Sequence, residues 1–546
     1  MYKYFQIFFL TSLLSFLSIN NLRAEEPLIV FHLDFNSVSL KENYIKHWLK
    51  KAADMGYNAV LWEIEDDVKW ETCPECSSPD AFSKDEFKKI LDYSRELGLE
   101  PIPLLQTIGH AEYVLQHEKY FKFREDSSRY DCYCTSNSEV KKFLKQWIEE
   151  YLDLFGNISY FHLGGDEAYA FASCDKCKEQ AQLVGENKFY TDYLKEISEP
   201  LLVKNIRPGI WSDMILKHPK DIDALGKGFV VWDWNYWDGD SSTESVMVWS
   251  EGSRVAKDRI SEKVIQEIPE ILKENGELNS FYTSDFLKRM GYDIILCSSS
   301  RSYGDGVFAG RNELHIDNII GAARKTANKH LLGNCVTSWS VRVHNYETQE
   351  PWFYLAPLTI MNPNLSKDEL LIKTSSDLFG VADLTFFNIA EQVGYSFPFA
   401  NERSTGIMWT GMKDSRPAPN DFILDLIAGW EKNNTWPSVV DRVKKSPEII
   451  STGTSSLQNF TFKIKSGLSV LNNWSIAGYF QYWQSVIAEE IVKKTENKDG
   501  ISSEEIIELI ASLKRDYQNW ADTWMTKNSS EQNAGLIYDS LINFFK

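Results

Sequence analysis

Two adjacent carboxylates, Asp166 and Glu167, are the residues of this chain best suited to acid–base chemistry. They follow the apolar segment 160–163, from which Gly164 and Gly165 separate them. Neighbouring strand residues point to opposite faces, so both acids can face one pocket only if the backbone bends, and the two glycines permit that bend. A lone Asp-Glu dipeptide is more often a surface pair after a turn. Here the apolar segment, the glycines and His162 favour a catalytic pair, with one acid protonated and the other ionised.

The elements that must position this pair alternate along the first two-thirds of the chain as short apolar segments and amphipathic helical ones. Eight segments are strand candidates: Leu28–Leu33, Asn58–Ile64, Ile102–Gln106, Ser159–Leu163, Arg207–Trp211, Phe229–Asp233, Asp293–Cys297 and Cys335–Trp339. Eight βα units predict an α/β fold of the TIM (β/α)8 barrel type, whose catalytic groups lie at the carboxyl ends of the strands. Asp166 and Glu167 follow the carboxyl end of the fourth strand candidate. A doubly wound open sheet is the alternative, since Pro101 and Pro103 are unfavourable in a central strand.

The chain divides into three parts. Residues 1–24 hold Lys3, an apolar run and Ala24 before an acidic segment, which is typical of a cleaved signal peptide and predicts export to the periplasm or the exterior. A retained N-terminal anchor is the alternative. Residues 25–362 form the predicted barrel. Residues 363–546 lose the strand pattern and predict a helical C-terminal domain, with Ser502 and Glu505 as a capping box at one helix start.

Charge and composition narrow the class of ligand. The chain has 78 Asp and Glu against 58 Lys and Arg, a net charge of −20, which disfavours nucleic acid and anionic lipid as partners. No stretch of the mature chain is long and apolar enough to predict a membrane span. Its 18 tryptophans suit the faces of neutral sugars, although most of them are expected in the core.

The segment 162–167, His-Leu-Gly-Gly-Asp-Glu, resembles the signature of glycoside hydrolase family 20, the β-N-acetylhexosaminidases. Further matches follow in order along residues 31–358 and resemble the hexosaminidase D-like branch of that family. They are Glu63-Ile64-Glu65-Asp66, Leu105-Gln106-Thr107-Ile108-Gly109-His110-Ala111-Glu112, Cys134-Thr135-Ser136-Asn137 and Trp211-Ser212-Asp213-Met214.

The resemblance implies substrate-assisted hydrolysis, in which the sugar's own 2-acetamido group attacks the anomeric carbon and forms an oxazolinium intermediate. Glu167 would protonate the leaving oxygen and later activate water, and Asp166 would orient the acetamido group. No cofactor is implied for catalysis. The implied partner is an oligosaccharide or glycoconjugate with a terminal β-linked GlcNAc or GalNAc. Two alternatives are a non-catalytic carbohydrate-binding barrel and a two-carboxylate retaining glycosidase for sugars without the acetamido group.

The resemblance also suggests residues that contact the sugar. His110 matches a histidine of the family's third strand, and His162 flanks the carboxylates. Aromatic candidates near strand ends are Trp211, Trp232, Trp234 and Trp339, each of which could equally be core. Tyr236 is the candidate whose hydroxyl would hydrogen-bond the acetamido oxygen. Many members have an arginine after the first strand and a glutamate shortly after the last strand's tryptophan. Here Asp34-Phe35-Asn36 and Ser340-Val341-Arg342 stand there, so the candidates by position are Asp34, Glu63 and Asp213.

Eight cysteines form three close pairs and two single residues. Two Cys-x-x-Cys pairs, Cys73 with Cys76 and Cys174 with Cys177, have the spacing of zinc knuckles and predict one structural zinc site if their loops meet. Disulfides are the alternative, because an exported protein experiences an oxidising compartment.

Overall fold

A computed structural model describes residues 26–36, 38–241, 243–302, 304–339, 346–399 and 422–546. Ten strands are present: β1 (Leu28–Asp34), β2 (Ala59–Glu63), β3 (Glu100–Leu104), β4 (Tyr160–His162), β5 (Arg207–Trp211), β6 (Val230–Trp234), β7 (Ser245–Val248), β8 (Ser253–Ala256), β9 (Asp293–Arg301) and β10 (Gly333–Ser338). All but β7 and β8 form a closed parallel barrel in the order β1-β10-β9-β6-β5-β4-β3-β2. Closure confirms the predicted TIM barrel and excludes the open sheet.

The two prolines of β3 are tolerated because of where their missing N–H groups would point. Glu100 donates its backbone N–H to Asn58 beside β2, and Leu105 donates to His162 of β4, 3.0 Å away. Since the N–H direction alternates along a strand, Pro101 and Pro103 share the β4 side with Leu105. β3 pairs with β4 only at Leu104 and His162, so the prolines remove few ladder bonds.

Helices cover the outside of the barrel. Those that follow or connect its strands are α1 (Glu42–Met55), α2 (Lys84–Glu96), α3 (Glu112–Leu115), α4 (Ser138–Phe155), α5 (Asp175–Val184), α6 (Glu186–Ile197), α7 (Glu199–Val203), α8 (Asp213–Leu216), α9 (Glu262–Glu267), α10 (Tyr282–Arg289), α11 (Asn312–Lys329), α12 (Glu350–Phe353) and α13 (Leu355–Met361). The short connection between β5 and β6 contains only the single turn α8 and a 3₁₀ segment. The antiparallel hairpin β7–β8 interrupts the long connection from β6 to β9 and has no counterpart among the predicted strands.

The C-terminal third of the chain is helical, as predicted. Its helices are α14 (Lys367–Phe379), α15 (Thr385–Val393), α16 (Phe422–Lys432), α17 (Trp436–Thr461), α18 (Leu468–Thr495), α19 (Ser503–Ala521) and α20 (Lys527–Phe545). The predicted capping box of Ser502 and Glu505 begins α19.

These C-terminal helices pack directly on the barrel. The ring of Phe480 in α18 stacks on Phe308, in the loop before α11, with centroids 4.9 Å apart. Thr526 donates its backbone N–H to Ser39, just after β1, at 2.9 Å. One apolar cluster therefore runs from the helical layer of the barrel into residues 363–546, and burial of that surface joins the two regions.

A second, smaller apolar cluster fills the barrel interior. It contains residues from most barrel strands, including Val30, Leu61, Ile102, Val230 and Ile295. Toward the carboxyl ends of the strands the same cluster becomes aromatic, through Trp211, Trp232, Trp234 and Tyr236, with Trp339 packed against it. The predicted sugar-binding aromatics thus form the top of the barrel core.

In the part of the chain that the structure describes, no helix combines the length and hydrophobicity that crossing a bilayer requires. The predicted signal peptide, residues 1–24, lies outside the described residues.

Candidate active site

The backbone bends sharply after β4, as the two glycines predict. Gly164 and Gly165 both have positive φ angles, 65° and 92°. A Cβ on Gly165 would lie 2.7 Å from the hydroxyl of Tyr190, and that hydroxyl donates to the Gly165 carbonyl at 2.7 Å. Glycine is required here because of both the φ angle and the close approach. The bend turns the next two side chains toward the same histidine.

That histidine is His110, in the loop after β3. Its Nε2 lies 3.3 Å from Oδ2 of Asp166 and 3.5 Å from Oε2 of Glu167. His110 and Glu167 both have a positive φ, 52° and 44°, which side chains with a Cβ rarely adopt. Backbone strain of this kind is maintained by surrounding contacts and concentrates at functional sites. The three groups define the acid–histidine trio of this site.

The two carboxylates of the trio differ in exposure and partners. Asp166 is buried, and its Oδ1 has no hydrogen-bond partner among the described residues. The Glu167 side chain is 28% exposed, and its Oε1 accepts a 2.6 Å hydrogen bond from the hydroxyl of Tyr169. Asp166 therefore offers a vacant acceptor inside the site, whereas Glu167 stands at its opening.

Burial and the charges within the trio shift the pKa of each of its three members. Burial raises the pKa of Asp166 above its ordinary value, although the positive charge of His110 acts in the opposite direction. Burial also acts to raise the pKa of Glu167, but hydrogen bonds and charge from His110 outweigh it and lower that pKa. Burial alone would lower the pKa of His110, yet the Asp166 charge and both carboxylate contacts raise it well above 6.5. These directions favour protonation of His110, the group that lies between the two carboxylates.

Asp213, at the start of α8, holds the backbone of Glu167. Its Oδ2 accepts the Glu167 N–H at 3.0 Å, and its Oδ1 accepts from Nε1 of Trp234 at 3.4 Å. Burial, followed by repulsion from Asp166, raises the pKa of Asp213 to about 7. Both of its oxygens contact protein groups, so Asp213 positions the Glu167 backbone, and its predicted contact with the sugar stays a prediction.

Three of the predicted sugar contacts are deeply buried in the barrel. His162, Trp211 and Trp232 are at most 1% exposed, and the His162 ring packs on both indoles with centroids 4.4 and 4.9 Å away. Nδ1 of His162 accepts the Gly164 N–H at 2.9 Å. Burial lowers the pKa of His162 well below 6.5, which keeps it neutral. These residues form the floor of the site, where His162 supports the glycine bend, and their contact with the sugar stays a prediction.

An aromatic wall remains above that floor. Trp234 stacks on Tyr236 with centroids 5.2 Å apart, and Tyr236 lies 6.3 Å from Trp339, which is partly exposed. Two further rings pack on Trp234. The ring centroids of Trp237 and Trp249 lie 5.5 and 4.8 Å from that of Trp234. Neither was singled out by the sequence, because both lie in the long β6–β9 connection, outside the predicted strands.

On the opposite side of the barrel mouth the ends of β1 and β2 contribute buried acids. Glu63 accepts from Gln106 at 3.0 Å and contacts His32 at 3.2 Å, so protein groups satisfy both oxygens. Asp34 accepts the Asn36 N–H at 2.8 Å. Glu63 and Asp34, both predicted to contact the sugar, are thus buried and hydrogen-bonded to protein groups.

Glu65 is the acid in this group that the sequence had not singled out. Its Oε2 has no partner among the described residues, and burial together with neighbouring acids raises its pKa well above the ordinary value. Glu65 lies in the segment 63–66, just after the end of β2. That position was the signal in the sequence that could have identified it.

The cysteines correct the predicted zinc ligands. Cys73 and Cys76 are bonded to each other as a disulfide. Cys174 and Cys177 instead lie beside Cys134 and Glu125, from the loop after β3. The four cysteines predicted to share one metal therefore belong to two separate features, and the disulfide alternative holds only for the first pair.

A closed parallel barrel with a histidine and paired acids at the carboxyl ends of its strands has the architecture of a TIM-barrel enzyme, whose active site lies at that face. Residues 31–350, more than half of the chain, match the family described as glycosyl hydrolase family 20, catalytic domain. The chain belongs to glycosyl hydrolase family 20.

Individual relatives are more distant. Hexosaminidase D of Bos taurus is 26% identical over 195 residues, which is 35% of this chain and 56% of that protein. Hexosaminidase D of Homo sapiens is 27% identical over 198 residues, 35% of this chain and 40% of that protein. The match thus spans about half the length of these relatives. A solved structure, the β-N-acetylhexosaminidase from Bacteroides fragilis, has 17% identity and a TM-score of 0.47 over 70% of this chain and 75% of that chain.

Proposed function

We propose that this protein is a retaining exo-β-N-acetylhexosaminidase that removes terminal β-linked GlcNAc or GalNAc by substrate-assisted catalysis. The observation that carries the proposal is the unequal placement of two acids on one histidine. Asp166 is buried with a vacant oxygen, and Glu167 stands half-exposed beside it. Membership of family 20 supports the same chemistry.

Each acid has a separate task in this mechanism. The vacant Oδ1 of Asp166 accepts the acetamido N–H, which turns the amide carbonyl toward the anomeric carbon, and its negative charge stabilises the positive charge that develops on the cyclising amide. Glu167 donates a proton to the glycosidic oxygen as that bond breaks. The same carboxylate then removes a proton from the water that opens the oxazolinium, so the β configuration is retained.

The trio contains the right number of protons for this cycle. In this mechanism the free site carries its dissociable proton on His110, whose Nε2 lies 3.3 and 3.5 Å from the two carboxylates. The reactive form needs Glu167 protonated, Asp166 ionised and His110 neutral, which is the same total charge with the proton moved from Nε2 to Oε2. A neutral sugar that excludes water from Glu167 favours this transfer, because desolvation raises a carboxyl pKa. His110 is therefore the proposed proton reservoir.

A bell-shaped pH profile of kcat/KM is expected. On the acid side activity falls when a second proton enters the trio on Asp166, whose pKa is raised above 3.8, so the acid limb lies above that value. On the alkaline side activity falls when the trio loses its only proton, and the raised pKa of His110 places that limb above 6.5. Initial rates at low substrate concentration across the pH range measure both limbs.

The variant His110→Asn tests the reservoir. Without the imidazole, Glu167 must hold its own proton in the free enzyme, so the alkaline limb is expected to move to lower pH. An unchanged alkaline limb in this variant would show that the proton comes from elsewhere.

Substrate choice tests the proposed function itself. The purified full-length chain is expected to hydrolyse aryl β-GlcNAc or β-GalNAc and to leave the matching β-glucoside intact, because only the former has an acetamido nucleophile. Cleavage of the β-glucoside at a similar rate would favour a two-carboxylate glycosidase. Saturable sugar binding without hydrolysis would favour a carbohydrate-binding barrel.

We also propose that the substrates are glycans of the periplasm or the exterior. This follows from the signal-peptide pattern of residues 1–24. Cell fractionation of the producing organism, with the chain detected by antibody, tests it, and a chain confined to the cytoplasm would contradict it.

A further inference from the structure

Three thiols and one carboxylate converge beside the trio without taking part in it. Sγ of Cys134 lies 3.8 Å from Sγ of Cys174 and 3.6 Å from Sγ of Cys177. Oε2 of Glu125 lies 3.1 Å from Sγ of Cys177. All four ligand atoms lie within 4.8 Å of one another. Residues far apart in sequence thus present four soft or anionic donors to one point.

The spacing of these atoms matches the edges of a tetrahedral metal site. With Zn–S bonds of about 2.3 Å, two thiolates on one tetrahedral zinc ion stand about 3.8 Å apart. A disulfide would need sulfurs about 2.0 Å apart. Three thiols also cannot all be joined in pairs, so a disulfide within the cluster would leave one cysteine beside Glu125.

Hydrogen bonds around the cluster favour negatively charged sulfur. The backbone N–H of Ser136 and that of Cys177 point at Sγ of Cys177 and Sγ of Cys174, each at 3.4 Å. The hydroxyl of Ser136 lies 3.1 Å from Sγ of Cys177. The two backbone N–H donors offset the charge of metal-bound thiolates and fix their orientation.

We propose that Cys134, Cys174, Cys177 and Glu125 bind one structural Zn²⁺ ion. Zinc suits the set because thiolate ligands are soft and the four donors fill a closed tetrahedron, which leaves no position for substrate or water. The ion would be structural and would take no part in hydrolysis.

The proposed site links the two connections that supply the trio, one after β3 and one after β4. Glu125 and Cys134 lie in the loop that follows β3 and contains His110, and Ala111 of that loop donates its N–H to Asp131 at 3.2 Å. Cys174 and Cys177 lie at the start of α5, only seven residues after Glu167 in the case of Cys174. Cys174 also donates its N–H to Glu125 at 3.0 Å. Zinc at this point would therefore fix the position of His110 relative to both acids.

Metal content tests the proposal independently of any sugar chemistry. The full-length chain, purified without chelators, is expected to contain one zinc per chain by elemental analysis. Replacing zinc by cobalt should give thiolate-to-cobalt charge-transfer absorption. Cys174→Ser should lose the metal, whereas the double variant Cys73→Ser/Cys76→Ser should keep it, since those cysteines stand outside the cluster.

Two results would overturn the proposal. One is a wild-type chain that binds neither zinc nor cobalt even after reduction and incubation with the metal. The other is mass-spectrometric detection of a disulfide among Cys134, Cys174 and Cys177 in protein that has never been reduced. Because both readouts use the wild-type chain, a Cys174→Ser variant that fails to fold leaves the test intact.

Activity gives a second readout, which rests on the proposed function. Removal of the metal is expected to lower kcat by about 10²-fold, the loss that a displacement of catalytic groups by about 1 Å can cause. Adding zinc back should restore kcat. A chain that binds zinc but hydrolyses no acetamido sugar would refute the proposed function and leave the metal site standing.

Discussion

Replacing Glu167 by glutamine is expected to lower kcat by about 10²- to 10⁴-fold on β-N-acetylhexosaminides with poor leaving groups, the range that general acid catalysis contributes. Glutamine keeps the volume of the side chain and can still accept from Tyr169, but it has no proton to give to the glycosidic oxygen. The loss should shrink for aryl substrates with acidic phenols, because such leaving groups depart without protonation. Steady-state rates over a series of aryl glycosides measure this dependence.

The control for this variant is Glu179→Gln, on the exposed surface of α5. It makes the same chemical change away from the trio and should leave kcat and KM unchanged. Circular dichroism and thermal unfolding of both variants should match the wild type. A Glu167→Gln enzyme whose rate loss is the same for every leaving group would contradict the role of Glu167 as the acid.

The barrel could be predicted because most of its strands are short, apolar and followed by a helix with recognisable ends. Apolar strand segments and helix-capping residues can both be recognised in the sequence itself. The hairpin β7–β8 was missed because its strands have one exposed face and lie inside a long connection, where they resemble loop. Pro101 and Pro103 counted against a strand in the sequence, and only the pairing partners on each side of β3 explain why they fit.

The candidate catalytic residues were accessible to prediction for a related reason. Asp166, Glu167 and His110 lie a few residues after strand ends, and barrel geometry brings all strand ends to one rim. The sequence could not predict how deeply each strand-end side chain is buried, since a shift of one residue along a strand turns the side chain to the other face. Trp211 and Trp232 accordingly became the floor, whereas Trp339 kept a partly exposed face.

Cysteine pairing depends on loop paths that spacing does not encode. The two Cys-x-x-Cys pairs look alike in sequence, yet Cys73 and Cys76 close on each other, while Cys174 and Cys177 meet Cys134 and Glu125. The loop after β3 supplies the deciding residues. Its fold is set by contacts with the loop after β4, which no local pattern reports.

Replacing Asp166 by asparagine is expected to lower kcat by about 10²- to 10³-fold, the cost of removing one preorganised electrostatic contact to the transition state. Asparagine retains the shape of the side chain and one acceptor oxygen, so the sugar can still bind. It lacks the charge that stabilises the cationic oxazolinium, and its amide can present a donor where the acetamido N–H requires an acceptor. KM should therefore change less than kcat.

The signature that separates Asp166 from Glu167 is the response to the leaving group. Because Asp166 acts on the acetamido group, the loss in Asp166→Asn should persist for good and poor leaving groups alike, in contrast to Glu167→Gln. A thiazoline analogue of the cyclised intermediate should also bind the variant more weakly. Asp192→Asn, on the exposed face of α6, is the matched control and should retain full activity. A covalent glycosyl adduct on Asp166, detected by mass spectrometry with a fluorinated sugar, would instead make this residue a nucleophile, since an intramolecular amide attack leaves no sugar attached to the protein.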